Sequence, residues 1–300
     1  MGGGNAATLL TLGAVAGSSC VWALPKLFKL CRRCLGSPTQ KPSQPHFVAM
    51  PHPDWKPSVK QPPPFGEQEY ILYDPATMDK ASSYALVISA IVPRPIALVS
   101  SLSKNGAQNV APYSYFNVMG HAPPVFCIGI NRSPSRGGAK KDTLTNIEES
   151  GQFVVNIMSD WYVEAANHTC GDYDPDVDEM SLSGLTPEPS QRVTPPRIKE
   201  AAVQMECKLR QVVDVHDASG NPTTAIVIGE VLLFHISKGV ATQSPTGKLI
   251  VDPTKLRPIS RLGGTIYGTS TQLFEIGRPT KAQMHMGAAE YTGGAANSKK

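Results

Sequence analysis

Two apolar runs joined by a short polar segment constrain the fold of this chain most. The first run is Ile96–Leu102, the second is Asn109–Tyr113, and the pair Asn105-Gly106 lies between them. An Asn-Gly pair between two strand-like runs is the strongest short-range signal for a β-hairpin, because both residues tolerate the positive φ angles of a tight turn. We therefore predict that the two runs are paired antiparallel strands.

The register of this hairpin follows if Asn-Gly forms a two-residue turn. Such a turn pairs Ser101 with Val110. It likewise pairs Ser100 with Ala111. Pro112 has no N–H, so we expect the strand pairing to falter there and to leave backbone groups free to face a flat polar ligand.

Further segments favour a mainly β fold. Apolar and β-branched residues are concentrated in Val125–Ile130, Gln152–Met158, Val203–Val215 and Thr224–Ser237. Many strands with few long helices predict a barrel or a sandwich. A short helix is expected at Tyr162–His168, and another between Asp142 and Gly151.

The second of these short helices carries a possible anion site. Asp142 is a suitable N-cap for residues 143–150, and Gly151 suits the C′ position. Lys140 and Lys141 precede the cap. A helix N-terminus presents free N–H groups and attracts phosphate, and nearby lysines add charge. A capped surface helix with solvated lysines explains the same residues.

Composition narrows the classes of function. The 300 residues include 28 Lys and Arg against 24 Asp and Glu, a net charge of +4. These charges form no basic stripe with interleaved aromatics, so nucleic acid binding is not implied. Cys31 and Cys34 form a C-x-x-C, but a zinc ribbon needs a second pair, so we expect no metal site.

The N-terminal region predicts membrane attachment. Ala6–Pro25 is uncharged and just long enough to span a bilayer, and four basic residues follow it within residues 26–33. Positive-inside logic keeps this flank in the cytosol, as in signal anchors of the mitochondrial outer membrane or the endoplasmic reticulum. A cleaved secretory signal normally carries its positive charge before the apolar segment, and myristoylation is a poorer match.

The predicted domain organisation has four parts. Residues 1–35 are the hydrophobic anchor with its basic flank. Residues 36–66 are a linker in which prolines recur, which we expect to form neither helix nor ladder and to hold the domain away from a surface. Residues 67–280 form the folded domain, and residues 281–300 are a disordered tail.

An ordered series of short motifs resembles the flavin reductase-like family, whose members bind FMN in a six-stranded split barrel. The series covers roughly Tyr70 to Tyr267. Its motifs are Arg94-Pro95-Ile96-Ala97-Leu98-Val99-Ser100, Asn109-Val110-Ala111-Pro112-Tyr113-Ser114-Tyr115-Phe116, Pro123-Pro124, Lys141-Asp142-Thr143 with Asn146-Ile147, Phe153-Val154-Val155-Asn156, Gly184-Leu185-Thr186, Ile228-Gly229-Glu230-Val231, and Arg261-Leu262-Gly263-Gly264 with Tyr267. The order of the series carries the resemblance, since no single motif is specific.

The resemblance implies a set of FMN-binding residues. A flavin site needs cations and N–H donors for the phosphate, a flat apolar slot for the ring, and alternating donors and acceptors for the pyrimidine edge. The expected cofactor-binding residues are Arg94, Ser100, Ser101, Asn109, Ala111, Pro112, Tyr113, Ser114, Lys141, Asp142, Thr143 and Arg261. Packing in the core or at a dimer interface would explain Tyr113, Tyr115 and Phe116 equally well. Arg261 could equally well cap a strand edge.

The resemblance also implies an activity. The simplest expectation is an FMN-dependent oxidoreductase, an NAD(P)H:flavin reductase that binds its nicotinamide co-substrate transiently and forms a homodimer around the flavin pocket. The alternative is a non-catalytic FMN-binding or electron-carrier protein tethered to a membrane. The flavin carries the hydride chemistry, so no acid-base pair is required. His121 is the candidate catalytic residue, although most loop histidines have no catalytic role.

Overall fold

The computed structural model describes residues 43–66, 69–175, 177–287 and 290–291. Within them the α-helices are α1 (Lys80–Ala90), α2 (Asp142–Ser150), α3 (Val163–His168), α4 (Glu179–Ser183) and α5 (Pro253–Leu256). Asp160–Tyr162 and Gln283–His285 form 3-10 helices. The strands are β1 (His46–Phe47), β2 (Arg94–Pro95), β3 (Ala97–Leu102), β4 (Gln108–Tyr113), β5 (Phe116–His121), β6 (Pro124–Asn131), β7 (Gln152–Ile157), β8 (Pro187–Glu188), β9 (Arg197–Ile198), β10 (Val203–His216), β11 (Pro222–Ile236), β12 (Ala241–Gln243), β13 (Leu249–Val251), β14 (Ile259–Gly263), β15 (Ile266–Thr269) and β16 (Gln272–Leu273).

The main sheet closes on itself. Its antiparallel strands lie in the order β4-β3-β7-β10-β11-β6-β5. Only Ser114 and Tyr115 separate β4 from β5 along the chain, although these strands stand at opposite edges of the sheet. The sheet must therefore curl until its edges approach each other. The Gly129 N–H donates to the Tyr115 carbonyl at 2.7 Å, which extends the β5–β6 ladder into the connection between β4 and β5. This confirms the predicted mainly β barrel. The main sheet of the described residues has seven strands, whereas the resemblance implied six; β4 and β5 count as two strands because β4 pairs with β3 and β5 pairs with β6.

Both faces of β3 are buried, and they serve two different apolar clusters. Ala97 and Val99 belong to the first cluster, which is centred on Phe153 and Ile128. Ile96 and Leu98 belong to the second, which contains Met158, Met180 and Ile198. Successive strand residues point to opposite faces, so one strand contributes to both clusters. The second cluster packs α3 and α4 close to β4, and this places helical residues beside the open edge of β4.

The predicted hairpin is present, but its predicted register is wrong by one residue. Ser101 is paired with Asn109, and Ser100 with Val110. The loop has three residues between Ser103 and Ala107. The Ser103 N–H donates to the Ala107 carbonyl at 3.0 Å and closes the loop. Gly106 takes a φ of +82° there. A three-residue loop that ends in a left-handed glycine is the next commonest hairpin connection after the two-residue turn.

The expectation that pairing falters at Pro112 is also wrong. Leu98 lies opposite Pro112, and Ala97 lies opposite Tyr113, so the register continues to the end of β4. β4 is the edge strand of the main sheet. A proline is tolerated at an edge because the open side of the strand needs no donor there.

The helices differ in detail from the predictions. The sequence analysis did not predict α1, which begins after Asp79, whose side chain accepts the N–H groups of Ala81 and Ser82. α2 is present, but Asp142 is its first residue and not its N-cap; Lys141 occupies the N-cap without a side-chain hydrogen bond. Gly151 ends α2 with a φ of 68°, as predicted.

The Pro-rich segment contains a short strand, contrary to expectation. β1 pairs in parallel with β16. The His46 N–H donates to the Thr271 carbonyl at 3.0 Å, and the Val48 N–H donates to the Leu273 carbonyl at 2.7 Å. Prolines remove only their own donors, and the residues between them keep theirs. Part of the predicted linker is therefore bound to the domain.

The predicted anchor at residues 6–25 lies outside the described residues, and so does most of the predicted tail. Gln283–His285, at the start of that tail, forms one helical turn. In the part of the chain that the structure describes, no helix combines the length and the apolarity that crossing a membrane requires.

Candidate functional site

Two adjoining cavities lie beside the edge strand β4, and they contain most of the predicted FMN residues. The first cavity is lined by the predicted residues Asn109, Ala111, Pro112, Tyr113, Lys141, Asp142 and Thr143, and by Arg136 and Glu179. The second cavity is lined by the predicted residues Arg94, Pro112, Tyr113, Ser114, Lys141 and Arg261, and by Tyr84 and Tyr115. Pro112, Tyr113 and Lys141 belong to both, so the two cavities are neighbours.

The first cavity receives the N-terminus of α2. The N–H groups of the first residues of a helix have no intrahelical partner, and they favour anions. Lys141 lines the cavity at this point and forms no ion pair with a carboxylate of the described residues. Arg136 is held by both carboxylate oxygens of Asp142, at 2.8 and 3.0 Å, and also donates to the Tyr173 carbonyl. This end of the cavity is therefore suited to a phosphate.

A buried amide and hydroxyl network fixes α2 to the hairpin. Asn109 Nδ2 donates to Thr143 Oγ1 at 2.7 Å and to Ser101 Oγ at 3.2 Å. Asn146 Nδ2 donates to the same Ser101 oxygen at 3.1 Å. Ser101 is fully buried and lines neither cavity, so its visible role is to position Asn109 and α2.

Ser100 also lies outside both cavities. Its side chain points to the opposite face of β3, where the hydroxyl donates to the Pro196 carbonyl at 2.5 Å. His121 is exposed at the end of β5 and lines neither cavity. The structure therefore brings the predicted site together without Ser100, Ser101 and His121.

Tyr113 has a buried hydroxyl that lies near the Thr143 side chain but forms no hydrogen bond of good geometry with any described residue. Burial raises the pKa of this tyrosine, so the hydroxyl stays protonated. An unpaired buried polar group costs free energy comparable to a lost hydrogen bond, and such groups in folded proteins need an explanation. Tyr113 lines both cavities, so a bound ligand with a polar atom is the natural partner.

Glu179 is a carboxylate of the first cavity that the sequence analysis did not single out. It begins α4, is 7% exposed, and accepts the Val110 N–H at 3.0 Å. Burial raises the pKa of Glu179 to about 7, with smaller contributions from Asp142 and Asp178. The hydrogen bond from Val110 opposes this shift. The carboxyl group is therefore poised to exchange a proton near neutral pH.

This shift makes a prediction about pH. The pKa of Glu179 is raised from 4.5 to about 7 by folding, so its contribution to stability is fully present below pH 4.5 and is lost as the pH rises through 7. Glu179→Gln keeps an acceptor for Val110 but does not titrate. We expect the stability of the unsubstituted protein to fall, relative to Glu179→Gln, between about pH 5 and 8, measured by urea unfolding. The exposed Glu164→Gln is the control, and parallel pH profiles for all three proteins would refute the assignment.

The second cavity is built around two arginines. Arg94 is 7% exposed; its Nη1 donates to the carbonyls of Ile88 and Ile91, both at 2.6 Å, and its Nε to Ser114 Oγ at 3.3 Å. These carbonyls belong to the end of α1, where a cation is favourable. Arg261 lies directly opposite Arg94 in the pairing of β14 with β2.

Tyr115 forms a wall of the second cavity because a glycine faces it. A Cβ atom added at Gly129 would lie 3.0 Å from the Tyr115 Cβ, which is tighter than nearly all real contacts. The neighbouring Phe116 instead packs on the core, with its ring centroid 5.5 Å from that of Phe126. Of the two aromatic residues, Tyr115 is therefore the one at the site.

Arg136 and Glu179 are two of the site residues that sequence reasoning missed. Arg136 precedes Lys141 by five positions, so a count of charges before α2 would have included it. Glu179 follows the N-cap Asp178, but its partner Val110 is 69 residues away. No local signal reveals that contact. Among the described residues, no group of His, Cys, Asp and Glu side chains is arranged to hold a metal ion.

The curated relatives match most of the described domain. A protein of Halalkalibacterium halodurans, named only as uncharacterized, is 35% identical over 210 residues, which is 70% of this chain and 97% of that protein. Among solved structures, nitrilotriacetate monooxygenase component B from Bacillus cereus is 34% identical with a TM-score of 0.65, covering 70% of this chain and all of that one.

A second solved structure is similar in extent. The 2-nitrobenzoate 2-nitroreductase of Pseudomonas fluorescens is 31% identical with a TM-score of 0.61, covering 70% of this chain and 98% of that one.

The family model described as "Flavin reductase like domain" matches residues 89–260, which contain both cavities apart from Tyr84, Ile88 and Arg261. By this match and by the curated relative, the chain belongs to the flavin reductase-like family.

Proposed function

We propose that this protein is an FMN-dependent oxidoreductase, most simply an NAD(P)H:flavin reductase. The observation that carries the proposal is the first cavity, where the N-terminus of α2 and Lys141, which has no ion-pair partner among the described residues, stand beside the buried hydroxyl of Tyr113, which forms no hydrogen bond of good geometry there. A phosphate needs cations and N–H donors, and the cavity offers both. The residues therefore fit a flavin mononucleotide.

The side chains have separable tasks in this proposal. Lys141, Thr143 and the first N–H groups of α2 would hold the phosphate. Arg136 and Asp142 keep the neighbouring loop in place through the Tyr173 carbonyl. Tyr113 would bind a polar atom of the flavin through its hydroxyl. Bound FMN supplies the chemistry of accepting and donating a hydride.

The names of the solved relatives support an oxidoreductase. One is a monooxygenase component and the other a nitroreductase. Each covers 70% of this chain. We infer that the second substrate binds next to the flavin and that the nicotinamide nucleotide, NADH or NADPH, binds only transiently.

The test is a titration of the purified full-length chain with FMN, followed by flavin fluorescence. We expect binding at micromolar FMN, a yellow protein, and consumption of NADPH or NADH when either is added. A folded sample that binds no FMN at tens of micromolar would contradict the proposal. A sample that binds FMN but oxidises neither nucleotide would be the non-catalytic FMN-binding or electron-carrier protein instead.

We also propose that two copies associate through the face of α1. Tyr84 is 53% exposed, and Leu86, Val87 and Ile91 of the same region are exposed as well. Contiguous exposed apolar side chains of this kind mark interaction surfaces. Tyr84 also lines the second cavity, so a second copy would shelter the site. Light scattering of the FMN-bound sample is expected to give the mass of two chains.

The N-terminal segment is proposed to anchor the protein in a membrane, with the domain facing the cytosol, at the mitochondrial outer membrane or the endoplasmic reticulum. The four basic residues after Ala6–Pro25 support this orientation. We expect the full-length protein to remain in the membrane pellet after carbonate extraction, and protease added to intact organelles to digest the domain. Release by salt, or protection from the protease, would contradict the anchor.

A further inference from the structure

The second cavity carries positive charge that no carboxylate of the described part of the chain neutralises. Arg94, Arg261 and Lys141 line it, and among the residues that the structure describes no acidic side chain does. None of the three forms an ion pair with a carboxylate of the described residues. Arg94 is buried and Arg261 is half-buried, and a cation that is removed from water without a counter-ion is costly in the free protein.

The other arginines show that this is unusual in the described chain. The remaining arginines that are at least half-buried each meet a carboxylate: Arg132 with Asp214, Arg136 with Asp142, Arg197 with Glu188, and Arg257 with Asp160. Arg94 and Arg261 are therefore exceptions, because they lack the carboxylate partner that the other half-buried arginines of the described chain have.

The two arginines are also held close together. Arg94 and Arg261 are direct cross-strand partners, and like charges in that arrangement repel. Each is fixed by neutral groups. Arg94 is bound to the carbonyls at the end of α1, and Arg261 donates to the Gly264 carbonyl with its guanidinium 4.4 Å from the centre of the Tyr267 ring. The two guanidinium groups are thus held in place by neutral groups, and their positive charge remains available to bind an anion.

The rest of the cavity suits the body of a planar ligand. Tyr84, Tyr115 and Ile88 provide aromatic and apolar surface, and Ser114 and Asn131 provide polar groups. Arginines bind carboxylates and phosphates through paired N–H groups. The cavity adjoins the first one through Tyr113 and Lys141, so a molecule bound here would lie beside a flavin bound there.

We propose that the second cavity is the anion subsite for the second substrate, in which Arg261 and Arg94 bind a carboxylate or phosphate attached to a planar ring. The inference rests on the proposed function, because it assigns FMN to the first cavity. Two sources supply this chemistry: an aromatic carboxylate, or the phosphates of a nicotinamide nucleotide. Both place the anion on the arginines and the ring toward the flavin.

The test compares Arg261→Gln with the unsubstituted full-length protein by titration calorimetry, with and without FMN. The probes are benzoate, its neutral analogue benzamide, NADP+ and FMN. We expect Arg261→Gln to weaken benzoate or NADP+ by about tenfold to a hundredfold, the effect of losing one charged hydrogen bond, and to leave FMN affinity unchanged. Loss of benzoate identifies the aromatic carboxylate, and loss of NADP+ identifies the nucleotide.

Two variants guard the interpretation. Arg210→Gln removes one positive charge from an exposed ion pair with Glu230, outside both cavities, and should change nothing. Arg261→Lys keeps the charge and should retain part of the affinity if Arg261→Gln fails to fold. If Arg261→Gln weakens FMN as well, the arginine belongs to the flavin site and the proposal is overturned. The same holds if the protein binds FMN but neither anion. Failure to bind FMN at all would instead refute the proposed function.

Discussion

Lys141→Ala is expected to weaken FMN binding by about tenfold to a hundredfold while leaving riboflavin binding unchanged. The lysine lines both cavities at the N-terminus of α2 and has no carboxylate partner among the described residues. Riboflavin lacks the phosphate, so removing the Lys141 ammonium group should not change the affinity for riboflavin. Quenching of flavin fluorescence measures both dissociation constants in the same buffer.

The neighbouring lysine is a matched control. Lys140 carries the same charge but is ion-paired with Glu148 on the surface of α2. Lys140→Ala therefore changes the net charge equally and should leave both ligands bound as before. Equal loss of FMN and riboflavin in Lys141→Ala would place the lysine near the ring and not near the phosphate.

Gly229→Ala is expected to destabilise the fold by about 1–3 kcal/mol, the usual cost of overpacking a filled core. A Cβ atom at Gly229 would lie 2.7 Å from the tip of the Phe153 ring and 2.8 Å from that of Phe126. Both rings belong to the main core cluster and pack edge to face on each other. Phe153 is 0% and Phe126 3% exposed, so a displaced ring must push against buried neighbours. Urea unfolding measures the loss.

Another strand glycine provides the control for this substitution. A Cβ atom at Gly120 in β5 would meet its nearest neighbour, the Pro123 carbonyl oxygen, at an ordinary 3.6 Å. Gly120→Ala should therefore be close to neutral in the same assay. If Gly229→Ala unfolds at the same urea concentration as Gly120→Ala, the rings relax and the core is looser than its geometry indicates.

The sequence predicted the parts of the fold that depend on local pattern. Apolar periodicity located the long strands β10 and β11, and Gly151 correctly marked the end of α2. The hairpin was placed correctly, but its register depends on whether one residue or two take a left-handed conformation. Only Gly106 does so, and an Asn-Gly pair is compatible with both turns.

The site was harder to predict because its contacts join distant segments. The motifs located Lys141, Thr143 and Asn109, which the structure brings to one cavity, where Asn109 donates to Thr143. Glu179 acquires its environment only when α4 packs against β4. Ser100 and Ser101 are adjacent in sequence, yet strand alternation sends their hydroxyls to opposite faces. A linear motif cannot tell which of two neighbours faces a cavity when both faces of the strand are buried.

The pairing of β1 with β16 has a consequence for the order of assembly. This pairing joins the two ends of the domain, so the chain between β1 and β16 forms one long loop that contains the whole barrel. Contacts between residues so far apart in sequence form late, because closing a long loop costs entropy. A two-stranded ladder of two residues each is only marginally stable alone. On the ribosome, the N-terminal partner is made first and must wait until Leu273 has emerged. The main sheet ends at Ile236 and is therefore synthesised before the strand that pairs with β1, so we expect the Pro-rich segment to close the structure last.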